Sequence, residues 1–306
     1  MVCLVGIFYC KKAYSAGELI SGYITLQIPS VISIESIILT IDKESEIKVD
    51  EVNSKLVSNE RATRHLGRFI IYGNRTKRML PGVHTFPFNF RMVSDEGATI
   101  EYKKITQTKN IYALNKYISR CEVKIYGIFK PVAKYTREIH LIEPVLENIQ
   151  KINYKHQINN CLCFGNKSTE IFIVHDSVLY AGKTHSLEIS LSPGASIGKI
   201  ECYLEMNLCS FTDAINPITL LFPCKTTEIN GKISLLVDET VPSETSRNDF
   251  FSISYNMVIN VAIKGGGTTR ILRPVSIRGK DSYGEYTPPE IPESAIYPEK
   301  YLSLHC

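Results

Sequence analysis

The chain has no run of about 18 consecutive apolar residues, the length a helix needs to cross a bilayer, so no transmembrane segment is expected. No stretch keeps a 3.6-residue apolar period over three turns, which excludes a fold built on amphipathic helices. A Ser nucleophile elbow, a His-Glu metal helix and a Gly-rich dinucleotide turn are all missing. The seven histidines are scattered singly. Catalysis therefore has no residues to stand on, and a non-enzyme without cofactor is expected. The nine cysteines form an odd set with no regular spacing. The N-terminal MVCLVGIFYCKKAY carries its charges after a short apolar stretch, so it reads as a first strand and not as a secretory signal. Reduced thiols in a cytosolic protein follow, and the sequons at Asn74 and Asn166 are then not expected to carry glycan. A net charge of +4 is too mild to imply nucleic acid.

What the chain does have is strands. VCLVGIFY, ELISGYITLQI, SIESIILTI, RFIIYG, HTFPFNFRM, CEVKIYGIF, TEIFIV, SLEISL, IECYLEMNL, ISYNMVINVAI and RILRPVSI are short and rich in β-branched and aromatic residues. Gly, Pro, Asn or Asp turns separate them. The class is all-β, and this spacing favours sandwiches over a βαβ sheet. At 306 residues, about twice a typical ~150-residue domain, two domains are expected. AYSAGELISGYITL, residues 13–26, has an echo in VLYAGKTHSLEISL, residues 178–191, each an Ala-Gly turn followed by period-two alternation. Two such copies at domain-length spacing suggest similar β domains in tandem: 1–147 and 148–285, with a Pro- and Glu-rich tail, 286–306, of a composition that buries too little to fold alone. The segment VLENIQKINYKHQINN reads as a polar linker. Asp42 to about Arg64 reads as a long polar insertion with one short helical turn near SNERATRHL.

Several motifs have a plain reading beside a functional one. GKT at Gly182–Thr184 lacks the earlier glycine and the following helix of a phosphate loop, and reads as a turn into a strand. GGG at 265–267 reads as a hairpin turn. Cys161 and Cys163 with His156 supply at most three of the four ligands of a structural zinc site, so free thiols are favoured. The stretch from Lys55 to Arg78 carries Arg61, Arg64, Arg68, Arg75, Lys77 and Arg78 against one acid, Glu60. It is either a solvated face or the contact for an anionic partner, a lipid headgroup or a phosphorylated peptide. Lys11 and Lys12, after the first strand, would add to that field. In the tail, Tyr301 and Leu304 fit the Tyr-x-x-apolar pattern that clathrin adaptors read as an extended segment.

Taken together, Tyr14-x-x-Gly17-Glu18 with Ile20-x-Gly22, the stretch Pro81-Gly82, His84, Phe86-Pro87-Phe88 and Phe90, and the closing hairpin ISYNMVINVAI to RILRPVSIRG resemble a known family. It is that of arrestin-fold proteins, closest to the arrestin-domain-containing, alpha-arrestin-like group. The resemblance runs over about residues 2 to 280 and departs from the pattern at Lys183, where Glu is usual. It implies two tandem immunoglobulin-like β-sandwiches whose glycine turns open equivalent strands. It further implies a cytosolic adaptor that binds the cytosolic tails of membrane proteins and links them to endocytic or vesicular sorting machinery. Clathrin adaptors or anionic lipids would be partners, with peripheral association to plasma or endosomal membranes. The alternative is a structural coat subunit of a retromer-like complex. The Pro-Pro-x-Tyr motif that recruits ubiquitin ligases is absent, since Pro288-Pro289 is followed by Glu290-Ile291.

Overall fold

The computed structural model describes residues 3–51, 57–73, 76–93, 96–127, 132–144, 148–158, 167–211, 217–229, 232–239, 241, 246–248, 250–279 and 286–287. Among the described residues there are strands and turns but no helix, hence no helix long and apolar enough to cross a membrane. The chain divides into two compact units, Met1–Glu143 together with Ser282–Cys306, and Pro144–Asp281.

The first unit holds β1 (Leu4–Tyr9), β2 (Tyr14–Ser15), β3 (Leu19–Ile28), β4 (Ile32–Glu51), β5 (Val57–Tyr72), β6 (Lys77–Met79), β7 (Gly82–Arg91), β8 (Ile100–Ile105), β9 (Lys109–Ile125), β10 (Val132–Ile139) and β11 (Leu141–Ile142). One sheet runs β1-β3-β7. A second runs β10-β9-β4-β5, with β6 on β4 and β8 on β9. Alternation fixes which side each strand buries. In β3, Ile20, Ile24, Leu26 and Ile28 face inward, and in β7 the partners are Phe86, Phe88 and Phe90. These join Ile37, Leu39, Ile41, Tyr117, Cys121 and Val123 of the other sheet in one apolar cluster. Rings meet within it: Phe69 stacks on Phe90 at 4.9 Å, and Tyr9 meets Phe88 edge-on at 5.9 Å. Each such fully buried side chain stabilises by about 1.5–3 kcal/mol. At Gly22 an added Cβ would lie 2.1 Å from the Phe8 carbonyl oxygen, so the close pairing of β1 and β3 admits no side chain there.

The expectation for Asp42 to Arg64 is corrected. This stretch is no insertion with a helical turn; it forms the outer arms of a long hairpin, with β4 and β5 paired from Ile37 and Tyr72 out to Asp50 and Val57. Its polarity misled because both faces carry charge. Lys43, Ser45, Ile47 and Val49 are buried, while Glu44, Glu46, Lys48 and Asp50 alternate with them, partly exposed on the other side. Period two was present, but hidden by Lys43 and Ser45 on the buried side.

The second unit holds β12 (Ile149–Ile158), β13 (Lys167–Asp176), β14 (Val178–Tyr180), β15 (Thr184–Leu191), β16 (Ile197–Ser210), β17 (Ile218–Pro223), β18 (Lys225–Ile229), β19 (Lys232–Leu236), β20 (Ser246–Arg247), β21 (Phe251–Ile263) and β22 (Gly267–Arg278). The sheets run β12-β13-β15-β19-β18 and β14-β22-β21-β16-β17, with β20 on β21. The polar linker expected before residue 160 is also corrected, since ten of its residues form β12, in unbroken register with β13. Ile171, Ile173, Leu187, Ile233 and Leu235 are buried in one sheet, and Leu204, Met206, Leu208, Met257, Ile259 and Ile277 in the other. The glycine triplet turns β21 into β22 with Gly265 and Gly267 at φ 72° and 84°. The Gly266 N–H donates to the Ile263 carbonyl at 3.0 Å.

The echo seen in the sequence has a structural counterpart in each unit. The short β2 pairs parallel with β11, Tyr14 opposite Leu141, and the short β14 pairs parallel with β22, Leu179 opposite Ile277. The Ala16 N–H donates to the Ile142 carbonyl at 3.2 Å, and the Ala181 N–H to the Arg278 carbonyl at 3.0 Å. Then Gly17 at φ 80° and Gly182 at φ 78° turn the chain into β3 and β15. A residue with Cβ is strained at such angles.

Candidate functional site

The sequence singled out basic residues, and the structure separates them into three places. Lys77 and Arg78, both exposed, sit on β6 opposite Ile34 and Ser33 at the start of β4. Arg61 lies opposite Glu46 near its far end, about a dozen residues further on, or roughly 40 Å at ~3.3 Å per residue. The acids missing along the sequence arrive from neighbouring strands and from the loop before β8. Arg61 approaches Glu46 at 4.0 Å and Arg64 pairs with Glu96. The Lys134 hydrogen bond holds Glu122 below the usual carboxylate range, and the charges of Lys124 and Arg68 act on it in the same direction. The run is therefore not one patch: Arg61 and Arg68 lie on a mixed-charge sheet face that also carries Asp42, Glu44, Lys116 and Arg120, whereas Arg64, opposite Lys43, lies on the other face. Lys55, Arg75, Asn74, Cys161, Cys163, Asn166, Tyr301 and Leu304 lie outside the described residues, as does the side chain of His156.

Lys11 and Lys12 line a different feature, a cleft of about 170 Å³ that also takes in Tyr9, Tyr14, Arg137 and Tyr286. The elements that build it are the end of β1, the turn after it, β10 and the Tyr286 segment. Burial raises the hydroxyl pKa of Tyr9 well above its ordinary value, even though it donates to Ser119 Oγ at 2.6 Å. Tyr9 is thus a fixed wall. The Tyr14 ring, 1% exposed, donates its hydroxyl proton to the Ser21 carbonyl at 2.7 Å and accepts the Lys11 N–H at 3.1 Å, which holds the Lys11 backbone in place. Arg137 donates to the Ile7 carbonyl at 2.6 Å and stacks its guanidinium over Phe8 and Tyr9 at 5.6 and 5.8 Å. Tyr286 donates its hydroxyl proton to the Tyr9 carbonyl at 2.9 Å.

The cleft gathers three cations, Lys11, Lys12 and Arg137, with one carboxylate in its own lining, Glu138. Lys11 is more than half exposed and ion-paired to Glu18. Burial would raise Glu18, but the Lys11 hydrogen bond and the Ser15 N–H outweigh it and leave the carboxyl below its ordinary value. An incoming anion at Lys11 must therefore compete with Glu18, whereas Arg137 already spends one N–H on the backbone and keeps the rest of its fork. The chemistry available is capture of a carboxylate or phosphate by lysine and guanidinium donors. Among the described residues, no group of three His, Cys, Asp or Glu side chains is placed to hold a metal ion.

Sequence reasoning missed Arg137, Tyr9 and Tyr286, because nothing local signals that β1 and β10 lie side by side. It also missed a buried polar cluster in the same unit. Lys43 and Glu96, 3% and 2% exposed, are paired at 2.7 Å with Arg64 on the other carboxylate oxygen. Tyr117 donates to the Gly97 carbonyl at 2.7 Å, and Asn115 to the Ala98 carbonyl at 2.8 Å. Ser45 in turn donates to Asn115 at 2.9 Å. These bonds fasten the loop before β8 to β4 and β9. A pair this deep costs desolvation and serves to fix geometry, since removing one partner strands a buried charge. No protein-family model and no curated protein matches this chain.

Proposed function

We propose that the chain is an arrestin-like adaptor, two tandem immunoglobulin-like sandwiches that dock on anionic segments of membrane-protein tails and link them to sorting machinery. The single observation that carries the reading is the repeated opening of the two units. In each, a short strand runs parallel to the last long strand or its continuation, and a positive-φ glycine then turns the chain into the sheet. A duplicated construction of this kind, in a chain whose motifs resemble that family, supports a binding scaffold over an enzyme. The basic cleft of Lys11, Lys12 and Arg137 is its docking place for the anion, and peripheral membrane association would follow from the cargo it holds. The test is fluorescence anisotropy with a phosphoserine-containing acidic peptide. Lys11→Glu with Lys12→Glu is expected to weaken binding roughly tenfold or more at physiological salt, the scale of one or two charge-assisted hydrogen bonds, and high salt is expected to erase the difference. Equal binding by wild type and double variant overturns the cleft as the site.

A further inference from the structure

The two units leave sheet edges of different kinds. In β1 the Cys10 N–H donates to the Ser21 carbonyl, so by antiparallel alternation the even residues bond to β3 and the odd ones point outward. Two of those outward carbonyls are occupied: Arg137 holds that of Ile7 and Tyr286 that of Tyr9. In β12 the Ser177 N–H donates to the Asn148 carbonyl at 2.9 Å. The same alternation turns the backbone groups of Ile149, Lys151, Asn153 and Lys155 away from β13. β12 is the end of its sheet, and no described strand pairs with its outer side.

Natural edge strands are kept short, bulged or broken by proline. This one is ten residues long, contains no proline and keeps its register with β13 without a shift. What guards it is charge. Lys151 and Lys155 are exposed on the face shared with Val174 and Glu170, whereas Ile152 and Tyr154 are on the face shared with Ile173 and Ile171. Tyr154, 39% exposed, leaves ring surface open beside the edge.

We infer that the free edge of β12 is a strand-addition site for an extended peptide that alternates acidic and apolar residues. Backbone bonds to the outward groups give the pairing, acids on one face meet Lys151 and Lys155, and apolar side chains on the other meet Ile152 and Tyr154. A second copy of this chain is the wrong occupant, because two β12 strands laid antiparallel about Asn153 set Lys151 against Lys155. Glu170, across the ladder from Lys155, lies 3.5 Å from the Asn153 amide nitrogen and stands on the β13 side, away from the open edge. The inference deepens the adaptor reading by naming a second docking place and its peptide class. Its test uses no residue of the Lys11 cleft, so either can fail alone.

The probe is a capped, fluorescent heptapeptide alternating glutamate and valine, titrated by anisotropy against the full chain. Asn153→Pro removes one outward N–H and no backbone bond to β13, together with the 3.5 Å side-chain contact to Glu170, and it is expected to weaken binding at least tenfold. The double variant Lys151→Glu with Lys155→Glu is expected to lose the glutamate peptide and gain the equivalent lysine-valine peptide. Should Asn153→Pro fail to fold, a probe N-methylated at alternate residues decides against wild-type protein, where it is expected not to bind. No binding of the probe by wild type, equal binding by Asn153→Pro, or equal binding of the methylated probe each overturns the site. A sedimenting dimer that Asn153→Pro dissolves overturns it as well, by giving the edge to a second copy.

Discussion

The turns at residues 14–18 and 179–183 have the same backbone and opposite chemistry. In both, the fourth residue is a positive-φ glycine, and the fifth returns a hydrogen bond to the second, Glu18 N–H to the Ser15 carbonyl and Lys183 N–H to the Tyr180 carbonyl. The N–H of that second residue needs an acceptor as well. In the first turn the Glu18 carboxylate supplies it, accepting the Ser15 N–H at 2.9 Å. In the second, position 183 is a lysine, which has no acceptor, and the Tyr180 N–H goes instead to His185 Nε2 at 2.8 Å. That fixes the tautomer: the ring proton sits on Nδ1, 3.3 Å from Asp176 Oδ2. Lys183 meanwhile lies 5.1 Å over the Tyr180 ring, which stacks on His185. The lysine at 183 is therefore compensated two residues later. What the turn requires is an acceptor at one point in space, not a particular residue in sequence.

The comparison breaks first, and most heavily, at the buried residue that anchors each turn. Tyr14 and Leu179 occupy equivalent positions and are each 1% exposed. Tyr14→Ala is expected to cost about 3–5 kcal/mol and Leu179→Ala about 2–5 kcal/mol in urea unfolding. A cost below about 1 kcal/mol at one of them means that the two turns are not equivalent anchors.

The acceptor swap is next in size. His185→Phe keeps the ring stack and removes the Nε2 acceptor of the Tyr180 N–H, an expected loss of about 1–3 kcal/mol. His185→Gln, which can still accept, is expected to recover part of it; no recovery would show that the stack, not the acceptor, matters.

Gly17→Ala and Gly182→Ala sharpen the backbone side of the comparison. Each should cost about 1–2 kcal/mol for a left-handed residue with Cβ. The second is expected to cost more, because its Cβ would stand 2.9 Å from Glu239 Cγ. Equal melting temperatures for Gly182→Ala and wild type would contradict the strained geometry.

Acid reaches the two units through different groups and gives the smallest effect. In the second, burial holds His175, 2% exposed, below its ordinary value of 6.5. The unfolded chain then takes the proton first, so stability is full above pH 6.5 and declines as pH falls below it. In the first unit Glu18 is held below its ordinary 4.5, so its contribution is present above pH 4.5 and is lost as pH falls through the folded value. Denaturation followed against pH should flatten in the upper window for His175→Gln and in the lower window for Glu18→Gln. A single shared slope, unchanged by either variant, would refute the separation.

How much of this the residues disclosed varies by region. The all-β class, the HTFPFNFRM strand and the GGG hairpin were legible because alternation and turn chemistry are local. The glycine turns were legible as an echo, but their shared strand pairing was not, because partners such as Leu141 and Ile277 are set by the fold. The hairpin arms from Asp42 to Arg64 were misread, since Lys43 and Ser45 put polar groups on the buried side. The basic run looked isolated for a related reason: Glu46, Glu96 and Glu122 are distant in sequence and adjacent only through register. The cleft around Lys11 was half visible, as two lysines without Arg137 or Tyr286.

The parallel pairing of β2 with β11 also has a consequence in time. Tyr14 is made early, but its partner Leu141 follows about 130 residues later. At a synthesis rate of about 5–20 residues per second, the first turn of a growing chain waits on the order of ten seconds for the strand that closes it. For most of that wait the Arg137 that caps the Ile7 carbonyl of β1 has not been made either. The growing chain therefore carries an uncapped β1 edge through most of the first 140 residues, and a chain stopped before Arg137 lacks the guanidinium that occupies the Ile7 carbonyl.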